Sequence, residues 1–178
     1  MKFWHIIKSC CIYLFLTISF MLIHELAHGI TAIIFGGEFK GLWLTSYIGF
    51  GKKSDDVSTF TFYTYTSYNN SILCYRCVKI AGSLTAILSA LIVNFISKKK
   101  KNSIVFLTTY SIILSELFYW SVSPLLKFGD AYQLLNSLGI IDLFEILIFS
   151  LMCFLILIYT LLSLIKTYKK LFFSINKD

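Results

Sequence analysis

Residues 3–35 read FWHIIKSCCIYLFLTISFMLIHELAHGITAIIF, an apolar run broken only by His5, Lys8 and the cluster His24-Glu25-Leu26-Ala27-His28. A helix needs ~20 mostly apolar residues to cross the hydrocarbon core of a bilayer, and this run exceeds that length. A cleaved signal peptide also begins with basic residues before an apolar stretch, as Lys2 and Lys8 do here. The run continues too far for that, and it has no convincing small-residue cleavage site. It reads as a spanning helix that carries three ionisable side chains within five positions. An ionisable side chain in a spanning helix costs at least a few kcal/mol, so its presence there points to function.

The rest of the chain agrees with a membrane setting. Of its 178 residues, 57% are hydrophobic and 14% charged, and the mean hydropathy is +0.78. Soluble domains usually carry about 25% charged residues, so lipid must cover part of this surface. One domain is the natural count at this length. The net charge of +7 comes from clusters, with Lys98 to Lys101 as one block and Lys166, Lys169, Lys170 and Lys177 near the end. Blocks of lysine beside apolar runs suit phospholipid headgroups. A nucleic-acid partner is not expected, since Arg76 is the single arginine. Among the five cysteines, Cys10, Cys11 and Cys153 sit in apolar runs and read as inert thiols. Cys74 and Cys77 form a CxxC with no second pair and no nearby histidine, which is a poor zinc knuckle.

Four apolar stretches fit spans, at about 3–35, 78–97, 103–138 and 143–165. The third is broken near 124–130, where Pro124 and Lys127-Phe128-Gly129-Asp130 interrupt the helix. Gly36-Gly37 ends the first span. Between the first two spans, Val57 to Thr66 is rich in Thr, Phe and Tyr, the residues that strands favour. Phe39 to Phe50 is its expected partner, with Gly49-Phe50-Gly51 and Lys52 to Asp56 as the turn. The expected fold is therefore an all-α integral membrane protein of about four transmembrane helices, with a short membrane-surface β-hairpin between helices 1 and 2.

His24 and His28 are four residues apart and so share one helix face. That spacing lets two imidazole nitrogens reach one Zn²⁺, while Glu25 can take a proton from a zinc-bound water and deliver one to a leaving amine. The alternative is a pair of interior histidines satisfied by Glu25 without metal. A catalytic zinc needs a third protein ligand and one open position. His5, the remaining histidine, lies about five turns away on the same helix. Glu116 and Asp130 are the carboxylates at membrane depth, and the break after Pro124 favours Asp130 by freeing backbone to aim it inward. Glu116 then acts in the second layer around the metal or on a water path, or pairs with Lys127 or a hydroxyl. Three histidines are too few for a di-iron desaturase.

His24-Glu25-Leu26-Ala27-His28-Gly29 in a first spanning helix resembles the site-2 protease family of intramembrane zinc metalloproteases. Ala81-Gly82-Ser83-Leu84 is similar to the Ala-Gly-Pro-Leu that opens the family's second core helix, and Ser123-Pro124 with Gly129-Asp130 is similar to its aspartate motif. Two positions depart from that motif: serine stands where the family has asparagine before the proline, and Ala131 replaces the glycine after the aspartate. The resemblance covers roughly residues 5–140. It implies a minimal core without accessory domains and a zinc endopeptidase acting on membrane-embedded or membrane-proximal protein substrates. Its ligands would be His24, His28 and Asp130, its catalytic base Glu25, with Glu116 and Ser123 in the second layer. The strand at Val57–Thr66 either holds an unwound substrate or plugs the cavity mouth. A second possibility is a zinc-binding membrane adaptor or regulator without proteolysis, and a third is a metal-free membrane scaffold. The lysine distribution places both termini in the cytoplasm of a multi-pass cell-membrane protein, whereas the family resemblance implies the reverse orientation.

Overall fold

The computed structural model describes residues 2–43, 49–51, 63–67 and 71–173. Its elements are α1 (Lys2–Ile34), β1 (Glu38–Trp43), β2 (Gly49–Gly51), β3 (Tyr63–Ser67), α2 (Ile72–Lys99), α3 (Ser103–Val122), α4 (Gly129–Ser137) and α5 (Leu143–Tyr168). Four helices, α1, α2, α3 and α5, are long and apolar enough to cross a membrane. Their outer faces carry Ile30, Ile33, Leu88, Leu91, Leu151 and Leu155, all exposed, as a lipid-covered bundle requires. The chain is a membrane protein built of helices, with a small antiparallel sheet between the first two.

Residue chemistry explains the boundaries. Gly36 has φ of +79°, and α1 stops two residues before it at Ile34. The second helix begins at Ile72, six residues before the expected start, because the Ser71 side chain caps it by accepting from Cys74 N–H at 3.2 Å. It runs through Lys99, and Asn102 then caps α3 by accepting from Val105 N–H. The third span ends at Val122, and α4 is a separate helix of nine residues, too short to cross. The expected partner strand Phe39–Phe50 holds two strands, β1 and β2, which pair with each other, and Gly49-Phe50-Gly51, expected in the turn, is β2 itself because it pairs with Gly41 to Trp43. The sheet order is β2-β1-β3, all antiparallel. Of the expected strand Val57–Thr66 only its end lies in β3; its earlier residues and the turn Lys52–Asp56 lie outside the described residues.

Packing centres on α2, which lies against both α1 and α3, while α5 packs on α3. The buried face of α2 is Cys74, Val78, Gly82, Ala86, Ala90 and Asn94, one residue every fourth position. Lipid tails are as apolar as leucine, so helices associate in a bilayer by close packing and internal hydrogen bonds, and small residues permit that approach. Ala90 joins Phe20, Ile112 and Ile113 in a core shared by three helices. Four residues on, Asn94 Nδ2 donates to Thr109 Oγ1 at 2.9 Å and to the Phe106 carbonyl at 3.3 Å, tying α2 to α3.

Enlarging this stripe should loosen the bundle. Ala90→Leu, at a site with no exposure, is expected to cost about 1–3 kcal/mol by overpacking. Leu88→Ala on the lipid face should stay within about 0.5 kcal/mol. Reversible unfolding of both variants in detergent micelles or bicelles measures the difference.

Candidate metal centre

The motif His24-Glu25-Leu26-Ala27-His28 occupies the sheet half of α1. Counting back from Ile34 at 1.5 Å per residue, His28 and His24 lie roughly 9 and 15 Å from that end of the helix. The next residue, Gly29, lies under β1, where any Cβ would overlap the Phe39 ring. Thr64 of β3 donates its hydroxyl to the Glu25 carbonyl at 2.7 Å. The sheet is thus fastened onto the helix at the motif itself.

The outer nitrogens of both imidazoles are held. His24 Nδ1 lies 3.1 Å from Glu116 Oε1 on α3, and His28 Nδ1 lies 2.6 Å from the Val78 carbonyl on α2. A carbonyl and a carboxylate can only accept, so each Nδ1 carries the hydrogen and donates it. The lone pair of a neutral ring then sits on Nε2, the arrangement by which ligating histidines are oriented by their second nitrogen. Both Nε2 atoms face inward. Asp130 Oδ2 lies 3.3 Å from His28 Nε2 and 4.0 Å from His24 Nε2. His24, Glu25 and His28 each bring a donor atom within 4.8 Å of the others.

Asp130 reaches this point through an irregular turn. After Ser123 the chain passes Pro124, takes positive φ at Lys127 (57°) and Gly129 (75°), and starts α4 at Gly129. A Cβ at Gly129 would overlap the Tyr119 hydroxyl, and Asp130 N–H donates to that same hydroxyl oxygen at 2.6 Å. Three side chains of α2 then clamp α4: Tyr75 to Gln133, Arg76 to Ser137, and Lys79 Nζ to Asp130 Oδ1 at 2.9 Å.

The structure therefore brings His24, Glu25, His28, Glu116 and Asp130 to one cavity of about 700 Å³ between α1, α2, α3, β3 and α4. Ser123 is not brought there. It is fully buried, its hydroxyl has no hydrogen-bond partner among the described residues, and its carbonyl accepts from Phe128 N–H in the turn after α3. Glu116 is paired with His24, not with Lys127. Lys79, Tyr119, Thr64 and Thr66 also line the cavity, and the sequence reading had given none of them individually a place there.

This donor set fits a divalent cation on three grounds. Two imidazole nitrogens and a carboxylate oxygen face one another at 3.3 and 4.0 Å, a grouping that a metal ion can satisfy. Among the cavity's charged side chains, Glu25, Glu116 and Asp130 against Lys79 leave a formal excess of two negative charges, which one divalent ion neutralises. The third ground is Gly82, where a Cβ would stand 2.5 Å from His24 Nε2 and closer still to His28 Nε2. The helix is bare at the place where both Nε2 atoms need room. Two imidazoles with one carboxylate is a donor set that catalytic zinc takes.

No family model, curated protein or solved structure matches the chain.

Gly82→Ala should separate folding from the site. Alanine favours a helix over glycine by about 1 kcal/mol, so α2 should persist, with unchanged helical circular dichroism. The imidazoles must shift, and zinc retained after purification, measured by elemental analysis, should fall at least about tenfold.

Proposed function

We propose that this chain is an intramembrane zinc endopeptidase of the site-2 protease type, hydrolysing peptide bonds of membrane-embedded or membrane-proximal proteins. The observation that carries the reading is the convergence of His24 Nε2, His28 Nε2 and Asp130 Oδ2 from two helices, beside Glu25 and inside an apolar bundle. Ionisable groups at that depth are retained where they act. A zinc ion held by His24, His28 and Asp130 would lower the pKa of its water towards about 7 and polarise a scissile carbonyl. Glu25, next in sequence to one ligand and clustered with both histidines, accepts the proton of the attacking water. It then passes that proton to the leaving nitrogen. Glu116 and the Val78 carbonyl hold the two rings so that each Nε2 stays aimed inward throughout.

A helical substrate hides its carbonyls, so it must be extended before water reaches them. Among the described strands β3 is an edge, paired only with β1, and its Thr64 and Thr66 line the cavity. An unwound segment added to that edge would run beside Glu25, with main-chain hydrogen bonds supplying affinity.

If all four candidate spans cross, the start of α1, the α2–α3 junction and the end of α5 would lie on one side of the membrane. Lys8, Lys98 to Lys101, Lys166, Lys169 and Lys170 gather there. The positive-inside rule makes that end cytoplasmic and turns the sheet outward, the reverse of the orientation that the site-2 protease resemblance implies; we follow the lysines. A fluorescent protein fused after Asp178 should therefore fluoresce in cells, while alkaline phosphatase there should be inactive. The reverse pattern would invert the topology.

Glu25→Gln tests the chemistry. Glutamine keeps the size but cannot accept the proton, so zinc content should stay at about one per chain. Cleavage of a reconstituted membrane substrate should fall by about 10²–10⁴-fold. His24→Ala or Asp130→Ala should lose the zinc itself. Zinc retained by wild type with no cleavage by any form would leave a zinc-binding adaptor.

A further inference from the structure

Lys79 is the charged side chain lining the cavity to which the mechanism above gives no role. Its side chain is 14% exposed and lies in a helix that crosses the membrane. An ammonium in that position is costly unless it is paired and used. It is paired with a candidate zinc ligand, since Nζ stands 2.9 Å from Asp130 Oδ1. The other oxygen of the same carboxylate, Oδ2, faces the two Nε2 atoms at 3.3 and 4.0 Å. The two oxygens are thus divided between an ammonium on one side and the ligand cluster on the other.

That division matters for coordination. Carboxylates bind metal ions through one oxygen or through both. With two imidazoles and a water, a carboxylate bound through a single oxygen makes a four-coordinate ion, whereas one bound through both makes it five-coordinate and crowds the open position that water takes. A catalytic zinc site needs that open position. We propose that Lys79 is a positioning residue that keeps Asp130 a one-oxygen ligand and so reserves the remaining position for water. The inference rests on the zinc reading above and adds to it a residue that the metal itself does not touch.

The placement of Lys79 supports this. It follows Val78, whose carbonyl holds His28 Nδ1, and precedes by three residues Gly82, against which both imidazoles lie. One stretch of α2 therefore touches all three ligands. The Asp130 N–H is fixed at the same time by Tyr119, so the carboxylate has a set backbone and Lys79 sets its remaining freedom.

The sign of the metal-affinity effect separates this role from a merely structural one. Lys79→Met removes a positive charge from the cavity and raises its formal excess from two negative charges to three, so affinity for a divalent cation should hold or rise. Loss of a structural prop would instead weaken metal retention. Cobalt(II) replaces zinc in such sites and reports coordination number through its visible bands, which are intense for four ligands and weak for five. The full-length protein in detergent would be loaded with cobalt as wild type, Lys79→Met, Lys79→Arg and His24→Ala.

Wild type should give the intense four-coordinate spectrum. Lys79→Met should bind cobalt at least as tightly but with weak, shifted five-coordinate bands, and zinc-dependent peptide cleavage should fall about 10–100-fold. Lys79→Arg, which still donates to Oδ1, should restore the wild-type spectrum. If wild type binds cobalt and Lys79→Met gives the same spectrum, the positioning role is overturned while the zinc site stands. Weaker cobalt binding by Lys79→Met with unchanged bands also overturns it, in favour of a prop. Failure of wild type to bind cobalt, or equal binding by His24→Ala, removes the zinc reading and this inference together.

Discussion

The contact between Gly82 and two imidazoles is the constraint around which the bundle is arranged. His24 and His28 lie on the face of α1 that meets α2, and their Nε2 atoms stand where a Cβ at Gly82 would be. α2 can accept them only because its packing face is small at every fourth residue there, through Gly82, Ala86 and Ala90. In water such a stripe would bury little apolar area and contribute little. Inside lipid, close backbone approach is itself the source of association, so the same stripe both assembles the helices and makes room for the site.

Around that contact, each ionisable group of the cavity whose side-chain contacts are described has a partner across an element boundary. Glu116 on α3 meets His24 on α1, Lys79 on α2 meets Asp130 on α4, and the Val78 carbonyl meets His28. A buried polar group left unpaired costs about 1–3 kcal/mol, so these bonds fix how four helices sit relative to one another as well as how the rings point. What they leave facing inward is a set of acceptors. The polar pairing therefore specifies an acceptor-lined hole more strictly than the apolar packing does.

Much of this could be read from the chain. The run 3–35 is apolar, too long for a signal peptide and stopped by two glycines, and these features set α1 and its motif. The break after Pro124 pointed to Asp130, because a helix cannot continue through it and a carboxylate at its end is free to be aimed. Other features have no sequence signal at that resolution. Glu116 pairs with His24 by virtue of the rotation of α3, which one helix's sequence does not specify. Lys79 stands close to the start of a span, where lysine ordinarily meets headgroups, and its partner is 51 residues away. One signal was present and went unread: small residues at 82, 86 and 90 mark a helix–helix face by their period alone.

The turn before α4 shows how strain and site are joined. Lys127 adopts φ of 57°, a region that a residue with a Cβ enters at a cost, and Gly129 takes 75° against the Tyr119 hydroxyl. Such backbone persists only when its surroundings over-determine it. Here Phe128 N–H is tied to Ser123, Asp130 N–H to Tyr119, and α4 to Tyr75, Arg76 and Lys79 of α2. Nine residues of helix cannot hold such a turn by their own propensity. The clamp from α2 is what makes α4 a fixed support for the carboxylate. The same helix that gives way at Gly82 for the histidines thus grips α4 at three side chains for the aspartate. Opposite demands, vacancy and grip, fall on positions of α2 within two turns of each other.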